Sequence, residues 1–407
     1  MLREDIQINT VPVGELAIIP LVSCAEMGKK VDSYISYWRK HRKNDYEHSL
    51  AFAGYKKDSY LINAANPRFG SGEAKGIIYD SVRGKDVYLM VDVCNHSITY
   101  SLCGKRNCMS PDDHFQDLKR IIAAIAGKAK RITVIMPFLY ESRQHRRSAR
   151  ESLDCAMGLQ ELYAMGVENV ITFDAHDPRV INCSPLKGFE NVMPSYQFLK
   201  HLCKNVPDIK YDSDHLMMIS PDEGAIDRSV FYASVLGINM GMFYKRRDYS
   251  RIIDGMNPIV AHEYLGISVK GKDVIVVDDM ISSGGSMIDT ARDLKDRGAG
   301  RVFIFSTFGL FTNGMAKFDK AFQEGIFDKI LTTNLTWQSP ELLSREYYIS
   351  VDMSKYISYL IDTLNHDTSI GDLLSPTDKI KTLISRYQAA AKKRSESDEH
   401  KKAKKRS

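Results

Sequence analysis

The chain has 407 residues, 43% of them hydrophobic, and a formal net charge of +5. That length suits two domains of about 100–200 residues each, and no apolar run approaches the roughly 18 residues that would span a bilayer. Seven scattered cysteines without a C-x-x-C pair argue against a disulfide scaffold or a structural zinc site, and the charged N-terminal stretch lacks the apolar core of a signal peptide, so a cytoplasmic protein is expected.

The charge is concentrated at one end. Residues 392–407 hold eight Lys or Arg against three acids, which leaves the rest of the chain formally neutral. This stretch reads as solvated and disordered, capable of weak, salt-sensitive contact with polyanions but not of a specific nucleic-acid role.

In chain order, ELAIIPLV predicts a strand and the Cys24–His41 region a helix. GIIYDSVRGKDVYLMVDV predicts two strands joined by a Gly-containing turn, and DDHFQDLKRIIAAIAG a helix closed by Gly127. RITVIMPFL is a strand, ARESLDCAMGLQELYAMG a helix, and ENVITFDAH a strand that runs into polar residues. The second half repeats the plan, with LMMISPDEG, INMGMFYK, DVIVVDD and RVFIFSTFG as strands. RSVFYASVLG and SMIDTARDLKDRGAG read as helices, and KRRDYSRIIDGMNPIVAHEYLG as a long polar connection. Continuous rather than alternating apolar runs mark strands covered on both faces. The alternation of strand and helix therefore predicts an α/β protein with two doubly wound, mostly parallel domains in tandem. The expected bounds are 1–195, 196–375 and a helical or disordered basic tail over 376–407.

Two glycine patterns are turns. GISVKGKD has the spacing of a nucleoside-triphosphate loop but places Asp273 where Ser or Thr must ligate magnesium, and it precedes a strand. RFGSGEAKG has one residue too many before its third glycine to be a dinucleotide fingerprint.

The informative segment is VIVVDDMISSGGSMIDTA. Asp278 and Asp279 follow an apolar strand, where ligands of open α/β sheets collect. Adjacent carboxylates repel and lose solvation, so they need hydroxyl or cation partners. The loop Ser282, Ser283, Gly284, Gly285, Ser286 then offers backbone N–H groups at a helix N-terminus, a ready anion site. A pair of acids for sugar hydroxyls beside a loop for a phosphate describes a ribose-phosphate site.

This segment resembles the phosphoribosyl-diphosphate motif of the phosphoribosyltransferase fold. RFGSGEAKGIIYDSVRGKDVYLM, RITVIMPFLYESRQHRR, ITFDAHDP, ISPDEGAIDR and YKRR occur in the order seen in ribose-phosphate diphosphokinases. The resemblance covers about residues 14–375. It implies transfer of the diphosphoryl group of ATP to ribose 5-phosphate, with Mg2+ as cofactor. By the same resemblance, Lys245 and Arg247 are catalytic cations on a mobile loop. Asp278, Asp279 and Ser282–Ser286 hold the ribose phosphate, and Arg143, Gln144 and His176 hold ATP. Phe69 and Glu73 contact the adenine from a neighbouring subunit of a homo-oligomer. His176, Asp222 and Asp174 accompany the metal.

Several positions depart from the family pattern. Ser71 stands where an acid is usual, Ser282 where many members have Asp, and His145 where Asp is common. Glu223 stands in a Ser-Pro-Asp segment that lacks the usual Gly-Gly pair, and about 30 extra residues precede Phe69. A non-catalytic regulatory subunit of such an enzyme, and a phosphoribosyltransferase, are the alternative functions.

Overall fold

The structure, a computed structural model, describes residues 10–42, 49–247 and 259–404. The chain divides into two compact units. The first comprises Met1–Met193, Leu335–Trp337 and Asp352–Leu374; the second comprises Pro194–Asn334, Gln338–Val351 and Ser375–Ser407. Residues 335–337 and 352–374 thus belong to the first unit, not to the second domain expected over 196–375.

The sheet of the first unit consists of β1 (Leu16–Pro20), β2 (Asp86–Met90), β3 (Arg131–Ile135), β4 (Asn169–Phe173) and β5 (Gly188–Val192). All pairings are parallel and follow chain order, so this sheet has no internal reversal. Helices α1 (Ala25–His41), α2 (Pro111–Ile125) and α3 (Asp154–Ala164) connect successive strands. Local sequence sets the ends of α2. Ser110 and Asp113 form a reciprocal capping box, Pro111 sits in the first turn, and Ala126 and Gly127 leave the helix in left-handed conformation. Helix α3 begins at Asp154, later than its periodicity predicted, and β3 ends at Ile135. The two expected strands form on either side of the Gly84 turn, but they do not pair with each other. Ile77–Ile78 pairs instead with Ala64–Ala65, while β2 joins the main sheet.

A helix from late in the chain, Ser354–Asn365, packs into the first unit. Trp38 stacks on Tyr359 with centroids 4.4 Å apart. Arg39, 1% exposed, donates to Asp362 and Asn365, each at 2.8 Å. Asn365 in turn donates to Asp86, which Arg131 grips with two further bonds. Such charges can be buried because each has an opposite partner and its hydrogen bonds are made.

The second unit holds β6 (Leu216–Ser220), β7 (Asn239–Arg247), β8 (Ile259–Leu265), β9 (Asp273–Ile281), β10 (Val302–Gly309), β11 (Lys329–Thr333) and β12 (Tyr348–Val351). Their order is β8-β7-β6-β9-β10-β11-β12, parallel except for β8, which runs antiparallel to β7. Strand β8 lies where a polar connection was expected. Its pairing with Met242–Arg247 puts Tyr244–Arg247, expected to open the mobile loop, in β7 and makes β7 and β8 one ribbon, a tertiary contact that apolar patterning does not reveal. Helix α4 (Ser195–Asn205) precedes β6, α5 (Ile226–Leu236) leads to β7, and α6 (Gly285–Asp296) leads to β10. Phe243, Phe318, Phe327 and the inner faces of β9 and β10 form the core, each buried large side chain contributing about 1.5–3 kcal/mol. The basic tail is a helix, Thr377–Lys404, rather than disordered chain. Its start is fastened where Tyr387 donates to the Val206 carbonyl at 2.9 Å and meets Tyr211 edge-on.

Candidate active site

Strand order reverses between β6 and β9. From β6 the chain crosses through α5 to β7 on one side, and from β9 it crosses through α6 to β10 on the other. Ligands of open α/β sheets bind beyond the strand ends at such a reversal. The pairing of β6 with β9 stops at Ile219↔Val276, whereas β9 stays paired with β10 as far as Ile281↔Gly309. Asp278 and Asp279 therefore lie inside the last part of β9, two residues before its end, and not at its terminus as expected. They protrude past the end of β6, where the chain turns through Pro221 into Asp222.

The three carboxylates make this crevice strongly acidic. Burial, then Asp279, then Asp222 push the Asp278 carboxyl well above the usual carboxylate range. The Asp279 N–H donates to Asp278 at 2.9 Å, which offsets part of that penalty. Asp279 is 4% exposed, and the Arg228 guanidinium stands 3.9 Å from its carboxylate. Asp222 caps the short turn after β6 by accepting the Gly224 N–H at 3.1 Å. Arg228, on α5, closes the ISPDEGAIDR segment, but nothing in that segment assigned it a role.

The small-residue loop follows directly. The Thr312 N–H donates to the Ser282 carbonyl at 3.0 Å, which fastens one leg of the loop to the chain beyond β10. Gly284 has φ +80°, and a Cβ there would lie 2.0 Å from Cζ of buried Phe318, so only glycine fits. Gly285 opens α6 with no atom within 4 Å of its Cβ position. Because the cap residue is glycine, no side chain caps α6. The N-terminus of α6 thus suits an anion, and Ser283 and Ser286 are exposed beside it.

Lys245 and Arg247 end β7, opposite His262 and Ile259 of β8. Their side chains, and residues 248–258 of the expected lid, fall outside the described residues.

In the first unit, two predicted loops meet. Beyond β4, Asp174 is buried with φ +41°, and its N–H donates to the Val192 carbonyl at 3.0 Å. His176 is exposed, with its ring centroid 5.4 Å from that of His145. His145 places Nε2 3.4 Å from Asp177, whose carboxyl is held down to about 2, chiefly by Arg179. Arg143 is exposed, but the Gln144 amide donates to the carbonyls of Arg146 and Ser152, closing its own loop. Asp92, two residues past β2, was missed by the sequence reading. It accepts the N–H groups of Cys94 and Trp337, and burial pushes its carboxyl up to about 7. Its only signal was an acid at the end of a continuous apolar strand. Phe69 is 54% exposed, and Ser71 donates to Glu73 at 2.8 Å.

Of the expected metal residues, His176 and Asp174 belong to the first unit and Asp222 to the second. Among the described residues no three metal-ligating side chains converge. Within the second unit, Asp222 and Asp278 would suit a hydrated divalent cation, for which one or two carboxylates together with substrate phosphates suffice. The excess negative charge around Asp278 is the feature that suits it.

Comparison with known proteins agrees with this geometry. Residues 16–166 match the family profile of the N-terminal domain of ribose phosphate pyrophosphokinase, and residues 189–320 that of the phosphoribosyl transferase domain. A ribose-phosphate pyrophosphokinase from Ralstonia nicotianae is 30% identical over 257 residues, 61% of this chain and 71% of that protein. One from Vibrio cholerae is 27% identical over 325 residues, 77% of this chain and 92% of that protein. The crystal structure of phosphoribosylpyrophosphate synthetase from Mycobacterium smegmatis superposes with a TM-score of 0.67 at 18% identity, covering 87% of this chain and 99% of that one.

Proposed function

The chain belongs to the ribose-phosphate pyrophosphokinase family, and from that premise we propose that it transfers the diphosphoryl group of ATP to the anomeric hydroxyl of ribose 5-phosphate. A bond forms between the sugar O1 and the β-phosphorus, the bridge to the α-phosphorus breaks, and the O1 proton is lost; the products are PRPP and AMP. Little covalent work falls to the protein, so catalysis is positioning and charge neutralisation.

The observation that carries this reading is the strand reversal with Asp278, Asp279 and the 282–286 loop beside it. The two carboxylates accept from vicinal sugar hydroxyls, which supply the partners their mutual repulsion demands. The loop and the first turn of α6 receive the 5′-phosphate. Lys245 and Arg247 neutralise the phosphates in flight, Arg247 with a bidentate fork. Arg143 and His176 serve the nucleotide. For Gln144 to do so, its amide would first have to release the Arg146 and Ser152 carbonyls. Phe69 and Glu73 hold the adenine across a subunit boundary of a homo-oligomer. Asp222, Asp174 and His176 would accompany Mg2+, which when bound supplies positive charge to the phosphate oxygens. Among the described residues no helix is long and apolar enough to cross a membrane, and the reading places the reaction in the cytoplasm, where ATP is at hand.

The test is incubation with ATP, Mg2+ and ribose 5-phosphate, following AMP and PRPP. Equal amounts of both products are expected, lost in Lys245→Ala. In Asp279→Ala the KM for ribose 5-phosphate should rise far more than that for ATP. Binding of ribose 5-phosphate without product would refute the enzyme reading in favour of a non-catalytic subunit.

A further inference from the structure

The loop Phe69–Glu73 presents an aromatic ring and a carboxylate to solvent, yet its shape is fixed from three directions. Internally, the Phe69 N–H donates to the Glu73 carbonyl at 2.7 Å, and the Gly72 N–H to the Phe69 carbonyl at 2.9 Å. From one side comes the antiparallel hairpin of Thr99–Leu102 and Lys105–Cys108. At its tip the Cys103 N–H donates to the Gly70 carbonyl at 2.9 Å. Cδ1 of Leu102 lies 2.6 Å from where a Cβ on Gly72 would be, and Gly72 itself has φ +91°. From beneath, the part-buried Arg68 side chain lies 2.8 Å from Asp117 of α2. Its guanidinium also sits 4.7 Å over the Tyr100 ring of the hairpin, and the Tyr100 hydroxyl donates to Asp113 at 3.3 Å.

Arg68 thus ties loop, hairpin and helix at one point. Asp117 keeps a second cation, Arg120, at 2.6 Å, so the fold does not need Arg68 to neutralise it.

We propose that the 99–108 hairpin and Arg68 are the positioning apparatus of the Phe69–Glu73 loop, and that they set the affinity and selectivity for the purine base of the diphosphoryl donor. The inference rests on the reading that Phe69 and Glu73 meet that base. A ring and a carboxylate ordered beforehand do not have to be ordered by the ligand, so the binding energy shows as affinity. A carboxylate accepts hydrogen bonds and donates none. Held in place it favours a base with an exocyclic amine over one with a carbonyl at the same position. Ser71, donating to Glu73, fixes which oxygen is presented.

Arg68→Ala and Leu102→Ala test this in the full-length protein, with initial rates measured against ATP, GTP and ribose 5-phosphate. The KM for ATP should rise roughly tenfold in each as the ordering cost returns, and the preference for ATP over GTP should narrow. The KM for ribose 5-phosphate and kcat at saturating ATP should stay within about twofold, and Arg68→Lys, which keeps the charge but not the planar fork, should recover part of the loss. An unchanged KM for ATP, or an equal rise in both KM values, overturns the proposal. Leu102, 36% exposed, can be truncated without harm to the core, so it decides the matter if Arg68→Ala does not fold. Parent protein that forms no AMP overturns the functional reading itself, and this inference with it.

Discussion

Replacing Gly284 with alanine tests the geometry of the Ser282–Ser286 loop against a control one residue away. Gly284 holds φ +80°, and its new Cβ would lie 2.0 Å from the fully buried Phe318 ring. Left-handed backbone costs an L-residue about 1–2 kcal/mol, and displacing a packed ring costs about 1–3 kcal/mol. Together these come to roughly 2–5 kcal/mol, a fall of roughly 4–20 °C in melting temperature for a unit of this size. The Cβ of Gly285→Ala would meet nothing within 4 Å, and that backbone is not left-handed. That variant should melt within about 2 °C of the parent. Thermal melts followed by circular dichroism read both. In Gly284→Ala the KM for ribose 5-phosphate should also rise, because the loop must move to clear the ring. Equal melting temperatures for the two variants would refute the assignment of Gly284 as the position where only glycine fits.

Two further predictions concern buried charge and its pH dependence. Asp278 has its folded pKa raised by burial, Asp279 and Asp222, so its charge costs nothing below the unfolded value and destabilises as pH rises through the folded one. Asp278→Asn should therefore melt higher than the parent at pH 8, with the gain gone by about pH 4; a gain independent of pH would refute the cause. Asp362 is the opposite case: burial opposes its charge, but Arg39 and Arg42 outweigh it and hold the carboxyl down to about 2, from 3.8. Its contribution, about 2 kcal/mol, is present above pH 4 and lost as pH falls toward 2. Asp362→Asn should destabilise by about 3–5 kcal/mol at pH 7 by leaving Arg39 buried without its charge partner. Denaturant titrations should show that difference shrinking below pH 4, and a constant difference would count against the ion pair as its source.

How far the site could be read from sequence depended on how local each feature is. The run from Val274 to Ala291 names its strand, acids, loop and helix in one stretch, because each depends on neighbours in the chain. The acids were nonetheless placed two residues too near the strand end. The length of β9 is decided by its pairing with β10, whose residues are some thirty positions away. Strand β8 was read as connection for the same reason: its partner is β7, and its short run IVAHEYL is broken by His262 and Glu263 and follows a polar stretch. His145 was visible only as an unusual residue, and its contact with Asp177 required two loops to meet in space. Asp92 stood in no motif, and Arg228 closed the ISPDEGAIDR segment without a role of its own.

The amino-acid sequence by itself determined the α/β class, the alternation of strand and helix and the small-residue loop proposed to take the ribose phosphate. These follow from apolar runs, caps and glycine positions that act over a few residues. Tertiary structure alone decided the return of helix Ser354–Asn365 to the first unit through Arg39 and Asp362, the position of the strand reversal, and the bracing of Phe69 by a hairpin thirty residues on. Each of these is a pairing of groups distant in the chain. Their free energy depends on burial and on the company of opposite charge, which no local pattern encodes.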